Sequence, residues 1–177
     1  MEGVCEAIVS RIRLISLDEI EGHLSRLGRG NHCDNLKRLQ RFAYFGSVTL
    51  GEAEFLNLVF LQNGEVARIV PERQDRKLRS VAQRAINLGQ PRLSDNWDLA
   101  ENLDRMRNKL GNRGGRLEPL VLCEARDGEE MYGHWYIQDG SHRALGYATL
   151  LLLKEVCYDD QEAYCAMSDQ KYQSLLR

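Results

Sequence analysis

The sequence predicts an α+β fold, a mixed α/β arrangement in which a small sheet is flanked by helices. Short apolar segments bounded by turn residues predict strands, and segments with apolar residues at three- and four-residue spacing predict helices. Both kinds of segment occur along the 177 residues. This length, together with a hydrophobic content of 43%, predicts a single domain with a sizeable core.

Composition and charge argue against several classes of protein. The formal net charge of -2 argues against a wholly basic nucleic-acid coat protein, although it is compatible with a local basic groove. The five cysteines are widely spaced and include no Cys-x-x-Cys pair, which argues against a structural zinc site. Charged residues are spread through the first twenty positions, which lack the apolar run of a signal peptide. The longest apolar run, around 150–153, is too short to span a bilayer. We therefore expect a cytoplasmic protein without a membrane span.

The first part of the chain, to about residue 66, is predicted to be an extension of helices and a hairpin. The β-branched residues of 12–17 favour a strand. Asp34 is expected to cap a helix that runs to about Phe45 and stops at Gly46. Farther on, Asn63-Gly64 lies between two apolar runs, which is the strongest short signal for a β-hairpin.

Two helices rich in basic residues are predicted in the middle of the chain. One runs from Asp75 to Gly89, and the other from Ser94 or Asp95 to Gly111. The basic segments Arg68–Arg84 and Arg105–Arg116 are candidates for contact with DNA phosphates. A solvated helix face explains the same charges equally well.

The last third of the chain is predicted to form a hairpin followed by helices. The loop 112–116 is glycine-rich and basic, so it either wraps a phosphate or simply connects two elements. Strands are expected at Leu117–Cys123 and Tyr132–Gln138, and a helix from the following turn to about Glu155. The tail 159–177 is interpreted as one or two packing helices.

The turn between the last predicted strand and its helix reads Asp139-Gly140-Ser141-His142-Arg143. Gly140 permits a positive φ, and Ser141 is a good N-cap. The free amides of the helix start, with His142 and Arg143 beside them, suit a phosphate or another anion. The alternative is a capped helix start whose arginine pairs with a carboxylate.

The order of these elements resembles the ParB/sulfiredoxin superfamily. The matching features are the Glu118-Pro119 strand, a hairpin, the Asp-Gly-x-His-Arg turn, and a helix that begins Ala-Leu-x-x-Ala. The resemblance covers about a third of the chain, within 96–153. It implies a ParB/sulfiredoxin-like core at about 67–156, preceded by an N-terminal extension at about 1–66 and followed by a helical tail at 157–177.

The resemblance implies that a nucleotide binds at the turn, where His142 and Arg143 would hold its phosphates beside Ser141. Sulfiredoxins carry a catalytic cysteine at the position of Ser141, and a hydroxyl cannot perform the thiol step. We expect no helix-turn-helix of the partition proteins after Arg143, because few residues follow it in this sequence. Two branches of the family remain. One contains nucleases and ATPases, including plasmid proteins that inhibit the transfer of competing plasmid or T-DNA, and the other contains free-serine kinases.

Each candidate site residue has a predicted role. The expected ligands are ATP, or another nucleoside triphosphate, and Mg²⁺ or a similar divalent ion. Glu118 and Asp139 are the candidate metal ligands. The candidate nucleotide-binding residues are Arg116, Gly140, Ser141, His142 and Arg143. The candidate catalytic residues are Glu118, Asp139, His142 and Arg143.

Alternatives to these roles remain open. Glu118 is also suited to a salt bridge with Arg143, and Asp139 to a turn that bonds the helix amides. For the whole protein, the first hypothesis is metal-assisted hydrolysis of ATP, DNA or both. The alternatives are a non-catalytic, nucleotide-dependent inhibitor that binds a protein of the DNA-transfer machinery, and a small-molecule kinase of the free-serine type.

Overall fold

The computed structural model describes residues 12–28, 32–61, 64–70, 75–95, 97–113, 116–125 and 134–176. Helices and a mixed sheet are both present, so the predicted α+β fold class is confirmed. In chain order the elements are β1 Arg13–Leu14, α1 Leu17–Arg26, α2 His32–Leu39, β2 Tyr44–Leu50, α3 Glu52–Leu56, β3 Val59–Phe60, α4 Gly64–Ala67, α5 Leu78–Asn87, β4 Arg92–Ser94, β5 Trp97–Asp98, α6 Leu99–Arg113, β6 Leu120–Glu124, β7 Trp135–Asp139, α7 Ser141–Leu152, β8 Gln161–Met167 and α8 Asp169–Leu175.

The chain divides into two compact units, and it passes between them several times. The first unit contains Met1–Leu50, Pro119–Asp139 and Glu162–Arg177, and the second contains Gly51–Glu118 and Gly140–Gln161. Two of the crossings, at 118–119 and 139–140, fall beside predicted site residues. The prediction of one domain with an extension, a core and a tail stays a prediction.

The strands of the first unit belong to a mixed sheet in which they follow the order β1-β2-β8-β6-β7. β7 runs antiparallel to β6, with Ile137 opposite Leu122. β8 runs parallel to β6, with Ala163 opposite Leu120. Strand β6 therefore has a neighbour on each side. Its residues from Leu120 to Cys123 are completely buried, which makes β6 the centre of this unit's core.

Strand β8 contradicts the prediction that the tail consists only of packing helices. Its Gln, Glu, Ala and Met residues favour helices in isolation. Pairing with β6 buries most of the strand, and this packing outweighs the intrinsic preference. Cys165 reports on the burial, because desolvation raises the pKa of its thiol to about 12. Only the last part of the tail is helical, as α8.

The predicted helix that runs to about Phe45 is also wrong in its second half, because α2 ends at Leu39. Gly46 does not stop a helix but lies inside β2. A Cβ atom at Gly46 would stand 2.9 Å from Cγ2 of Ile12 and 3.3 Å from Sγ of Cys165. Glycine is therefore required by a close approach inside the sheet.

At the start of the described chain, strand β1 is shorter than the predicted 12–17 because Ser16 caps helix α1. The backbone N–H of Glu19 donates to Oγ of Ser16 at 3.2 Å, and the Glu19 side chain accepts from the backbone N–H of Ser16 in return. This reciprocal capping box satisfies amides that the helix leaves open. The helix consequently begins at Leu17.

In the second unit, α7 packs against α5 and α6, and α6 packs against the β4–β5 hairpin. Four apolar residues at three- and four-residue spacing form a buried stripe on α6: Leu99 and Leu103 are inaccessible, and Met106 and Leu110 are each 6% exposed. Helix α6 begins later than predicted, because residues 92–94 and 97–98 form the hairpin first. It also continues through Gly111 to Arg113.

The predicted Asn63-Gly64 hairpin is not formed. Gly64 begins the short helix α4, while Asn63 lies outside the described residues. The β3 backbone has a different partner, since the N–H of Phe60 donates to the carbonyl oxygen of Arg76 at 3.0 Å. Strand β3 therefore bonds to a segment 16 residues later in the chain and not to the end of a local hairpin.

None of the helices in the described ranges has both the length and the apolar character needed to cross a membrane.

Two glycine substitutions test the helix packing. A Cβ atom at Gly146 of α7 would collide with Sδ of Met106 and stand 3.1 Å from Nδ2 of Asn102. At Gly22 of α1 the nearest atom is Nη1 of Arg26, at an ordinary 3.7 Å. Gly146→Ala should lower the free energy of unfolding by about 1 kcal/mol, because overpacking exceeds the gain in helix propensity. Gly22→Ala should raise it by about 0.5–1 kcal/mol. Urea denaturation measures both, and a Gly146→Ala variant as stabilised as Gly22→Ala would contradict the close α6–α7 contact.

Candidate functional site

A cleft with a volume of about 230 Å³ lies within the second unit. Its walls come from one face of α6, from the segment 116–118 and from the first turn of α7. One carboxylate, Glu118, lines it together with four cationic side chains. The cations are Arg105, Lys109, Arg116 and Arg143. The described residues of the lining therefore carry a formal charge of +3 in a chain whose net charge is -2.

Helix periodicity explains the contribution of α6. Asn102, Arg105 and Lys109 are separated by three and four residues, so they share one face of the helix. Met106 and Leu110 also line the cleft and are mostly buried. The cations thus stand at the edge of the apolar stripe that fixes α6 in the core, which places their charges beside low-dielectric surface.

Arg143 and Glu118 form the central ion pair of the cleft. Nη1 of Arg143 lies 3.0 Å from Oε2 of Glu118, and Nζ of Lys109 lies 3.5 Å from Oε1. The Arg143 side chain is only 13% exposed and that of Glu118 30%. A mostly buried guanidinium without an anion would be strongly destabilising. The structure therefore has the salt bridge that the sequence offers as one role of Glu118, with a second cation added.

The segment that carries Glu118 is tied to residues 159–161. The N–H of Leu117 donates to Oε1 of Gln161 at 2.8 Å, and Gln161 is 1% exposed. Nε of Arg116 donates to Oδ2 of Asp159 at 3.2 Å. These bonds fix the backbone on the N-terminal side of Glu118. The predicted binding residue Arg116 therefore lines the cleft while it already pairs with a carboxylate.

Tyr147 of α7 holds residues 157–159 in turn. Its hydroxyl donates to the carbonyl oxygen of Cys157 at 3.3 Å and accepts from the N–H of Asp159 at 3.0 Å. Burial raises the pKa of Tyr147, so the hydroxyl keeps the proton that it donates. The α7 helix thus positions both Arg143 and the chain segment to which Arg116 is bound.

The turn before α7 differs in one respect from the prediction. Gly140, and not Ser141, is the N-cap, with a positive φ of 92° and no side-chain hydrogen bond to the helix. Ser141 is the first helical residue. The left-handed conformation is accessible to glycine at little cost, whereas another L-residue would be strained by roughly 1–2 kcal/mol. The predicted positive φ at Gly140 is confirmed, and the capping role of Ser141 is wrong.

His142 is stacked on Trp97 of strand β5. The ring centroids are 3.6 Å apart, and the ring planes are inclined by 12°. Trp97 is 5% exposed, whereas His142 is exposed. Nδ2 of Asn102 donates to the carbonyl oxygen of His142 at 3.3 Å, which joins this pair to the α6 wall of the cleft.

The remaining predicted site residues occupy other positions. Asp139 ends β7, is 7% exposed and belongs to the first unit. Across the described ranges, no group of three or more His, Cys, Asp or Glu side chains is arranged to hold a metal ion. The joint metal role of Glu118 and Asp139 stays a prediction. Gly114 and Gly115, at the centre of the predicted phosphate loop, lie outside the described residues.

The first basic segment, Arg68–Arg84, is not uniformly exposed. Arg76 is 6% exposed and is therefore removed from any basic surface, whereas Arg68 and Arg79 are exposed. Arg73 lies outside the described residues. The second segment, Arg105–Arg116, contributes Arg105, Lys109 and Arg116 to the cleft. Contact between either segment and DNA stays a prediction.

Sequence reasoning misses two features of the site. Lys109 lies on the polar edge of α6, and its spacing from Asn102 and Arg105 could have placed it with them. The stack of Trp97 on His142 joins residues 45 positions apart. No local pattern in the sequence predicts that contact.

The predicted passage from strand to helix is present, because β7 ends at Asp139 and α7 begins at Ser141. No family model matches the chain, and neither a curated protein nor a solved structure matches it. The resemblance to the ParB/sulfiredoxin superfamily consequently stays a prediction. It rests on the sequence of the strand-turn-helix region.

A surface ion pair fixes α6 to the segment after α7. Nε of Arg107 donates to Oε2 of Glu155 at 2.6 Å, and Nη2 donates to Oε1 at 3.0 Å. These hydrogen bonds lower the pKa of Glu155 from its ordinary 4.5. Because α6 and α7 both carry cleft residues, this ion pair helps to fix the two walls of the cleft relative to each other.

We expect the Glu155 contribution to stability to depend on pH. A carboxyl group whose pKa is lowered by folding stabilises the protein above its unfolded pKa and loses this effect as pH falls through the folded pKa. Glu155→Gln should therefore reduce stability by about 0.5–1 kcal/mol at pH 7, the range of a well-formed exposed pair. The difference should vanish on acidification through the range below pH 4.5. Urea denaturation across this range measures it, with Glu162→Gln as the exposed control, and a pH-independent difference would contradict the ion pair.

Proposed function

We propose that the cleft of the second unit binds the phosphate groups of a nucleotide and that the protein is a nucleotide-binding phosphohydrolase. ATP is the candidate ligand, and ATP, DNA or both are the candidate substrates. The observation that supports this proposal most is the convergence of four cationic side chains from three chain segments on one cleft. Polyanionic phosphates are recognised by such sets of charge-assisted donors.

The size of the cleft indicates which part of a nucleotide it takes. Its volume of about 230 Å³ is below the range of roughly 300–1,000 Å³ that is usual for small-molecule pockets. The phosphate chain is therefore the part that we place inside. The nucleoside, or the rest of a DNA strand, then lies outside the cleft.

In this proposal Arg143 is the principal phosphate ligand. Its 13% exposure gives the guanidinium a low local dielectric, in which charge-assisted hydrogen bonds are strong. The same bonds would stabilise charge that develops as a phosphoryl bond breaks. Lys109, Arg105 and Arg116 are more exposed and supply the surrounding positive field.

Glu118 is the one carboxylate among the described residues that line the cleft, and it has two candidate roles in hydrolysis. As a general base it would accept a proton from the attacking water. As an oxygen ligand it fits Mg²⁺, which commonly uses one or two carboxylates together with phosphate oxygens and water. Mg²⁺ bound there would neutralise phosphate charge. In either role Glu118 must first be released in part from its ion pairs with Arg143 and Lys109. An incoming phosphate would release it by pairing with the same two cations.

A second candidate function is a nucleotide-dependent inhibitor that binds a DNA-transfer protein without turnover. The observation that favours it is the engagement of both oxygens of Glu118 by cations, at 3.0 and 3.5 Å. A carboxylate held in this way is a poor base until one of the cations is released. Binding would then occur without hydrolysis.

Substitution of Arg143 tests the phosphate site. Arg143→Gln should weaken ATP binding by about tenfold or more, since hydrogen bonds to charged groups contribute roughly 1.5–3 kcal/mol each. Isothermal titration calorimetry at fixed ionic strength measures the affinity. Arg26→Gln, which removes the same charge from an exposed position of α1, is the matched control. Equal affinities of wild type and both variants would contradict the assignment.

Substitution of Glu118 separates the hydrolase from the inhibitor. Glu118→Gln keeps the shape of the side chain but removes the charge that neutralises Arg143 and Lys109, so the affinity for ATP without Mg²⁺ should be retained or should rise. Turnover of ATP or DNA with Mg²⁺ should fall about a hundredfold or more if Glu118 is the general base. Wild-type binding without turnover would decide for the inhibitor. Unchanged turnover in the variant would eliminate the catalytic role of Glu118.

A further inference from the structure

Trp97 covers one face of the His142 ring, and His142 as a residue is exposed to solvent. The indole of Trp97 lies 3.6 Å from the imidazole and nearly parallel to it. Trp97 is 95% buried, because only 5% of its surface is accessible, yet His142 remains exposed. Because Trp97 occupies one face, we infer that a planar group would approach the ring from the other.

This ring is fixed before any ligand arrives. The stack on a buried indole restricts rotation of the imidazole, and the hydrogen bond from Asn102 restrains the backbone of His142. A contact surface that is already ordered loses little conformational entropy on binding. Aromatic side chains ordered in this way are the usual platforms for the π-faces of nucleobases.

The platform lies next to the cleft. His142 precedes Arg143 in the first turn of α7, and Asn102 both lines the cleft and bonds to His142. Successive residues of a helix point about 100° apart, so the two side chains serve adjacent surfaces of the same turn. A ligand with its phosphates at Arg143 and its ring at His142 would lie across the first turn of α7.

We propose that the exposed face of His142 is a stacking site for the nucleobase of the ligand whose phosphates bind in the cleft. This inference rests on the proposed function and adds a recognition element for a planar heterocycle. It also accounts for the modest size of the cleft, about 230 Å³, because the base remains outside and is held by the stack. The role differs from the phosphate contact that the family resemblance implies for His142.

Two substitutions and two ligands test the stacking site. His142→Ala removes the platform, and His142→Phe keeps a ring but removes both ring nitrogens. ATP carries base and phosphates, whereas inorganic tripolyphosphate carries the phosphates alone. We expect His142→Ala to weaken ATP binding by about tenfold or more. His142→Phe should keep ATP affinity close to that of the wild type, and both variants should bind tripolyphosphate as the wild type does.

Other outcomes would overturn the inference or separate it from the proposed function. Loss of tripolyphosphate binding in both variants would mean that the imidazole contacts phosphate. Equal affinities of the wild type for ATP and tripolyphosphate would mean that the base is not recognised. If the wild type does not bind tripolyphosphate, the proposal that the cleft binds phosphates is wrong. Binding of adenosine alone then tests the ring site. Weaker adenosine binding by His142→Ala than by the wild type would support the stack, and a wild type that does not bind adenosine would contradict it. Thermal denaturation controls for the folding of both variants.

Discussion

An arginine that is mostly buried requires an anion beside it, and Glu118 is that anion for Arg143. The pair joins the first turn of α7 to the segment before β6 at a distance of 3.0 Å. Neither residue could be placed alone, because an uncompensated charge at 13% exposure would cost several kcal/mol. The position of Glu118 therefore depends on α7, and the burial of the Arg143 charge depends on Glu118. A phosphate that enters the cleft must compete for the same guanidinium.

The surroundings of this pair form a closed series of contacts within the second unit. Tyr147 of α7 holds residues 157–159, and Asp159 and Gln161 hold Arg116 and Leu117, which lead to Glu118 and back to α7. Helix α6 completes the cleft because Gly146 of α7 lets its side chains approach closely. The contacts that pack this unit therefore also fix the positions of the cleft residues. A substitution that disturbs the packing should also alter the cleft.

The sequence predicts best the features that are local. The helical spacing of α6 and the glycine turn before α7 follow from short patterns. The proximity of Glu118 to Arg143, which are 25 positions apart, could be offered only as one of the candidate roles of Glu118. Strand β8 could not be predicted in this way, since its residues favour a helix until β6 provides a partner. The glycine at 46 is likewise explained by Ile12 and Cys165, which are distant in sequence. The contact of Trp97 with His142 depends on packing between elements and leaves no local signal.

A crystal structure with a non-hydrolysable ATP analogue and Mg²⁺ would show whether the converging cations, led by Arg143, bind the phosphates of a nucleotide. We expect phosphate oxygens at about 2.7–2.9 Å from the Arg143 guanidinium, the distance of a charge-assisted hydrogen bond. We also expect the adenine ring to lie parallel to His142. An analogue bound elsewhere, with Arg143 still paired only to Glu118, would contradict phosphate binding by these cations.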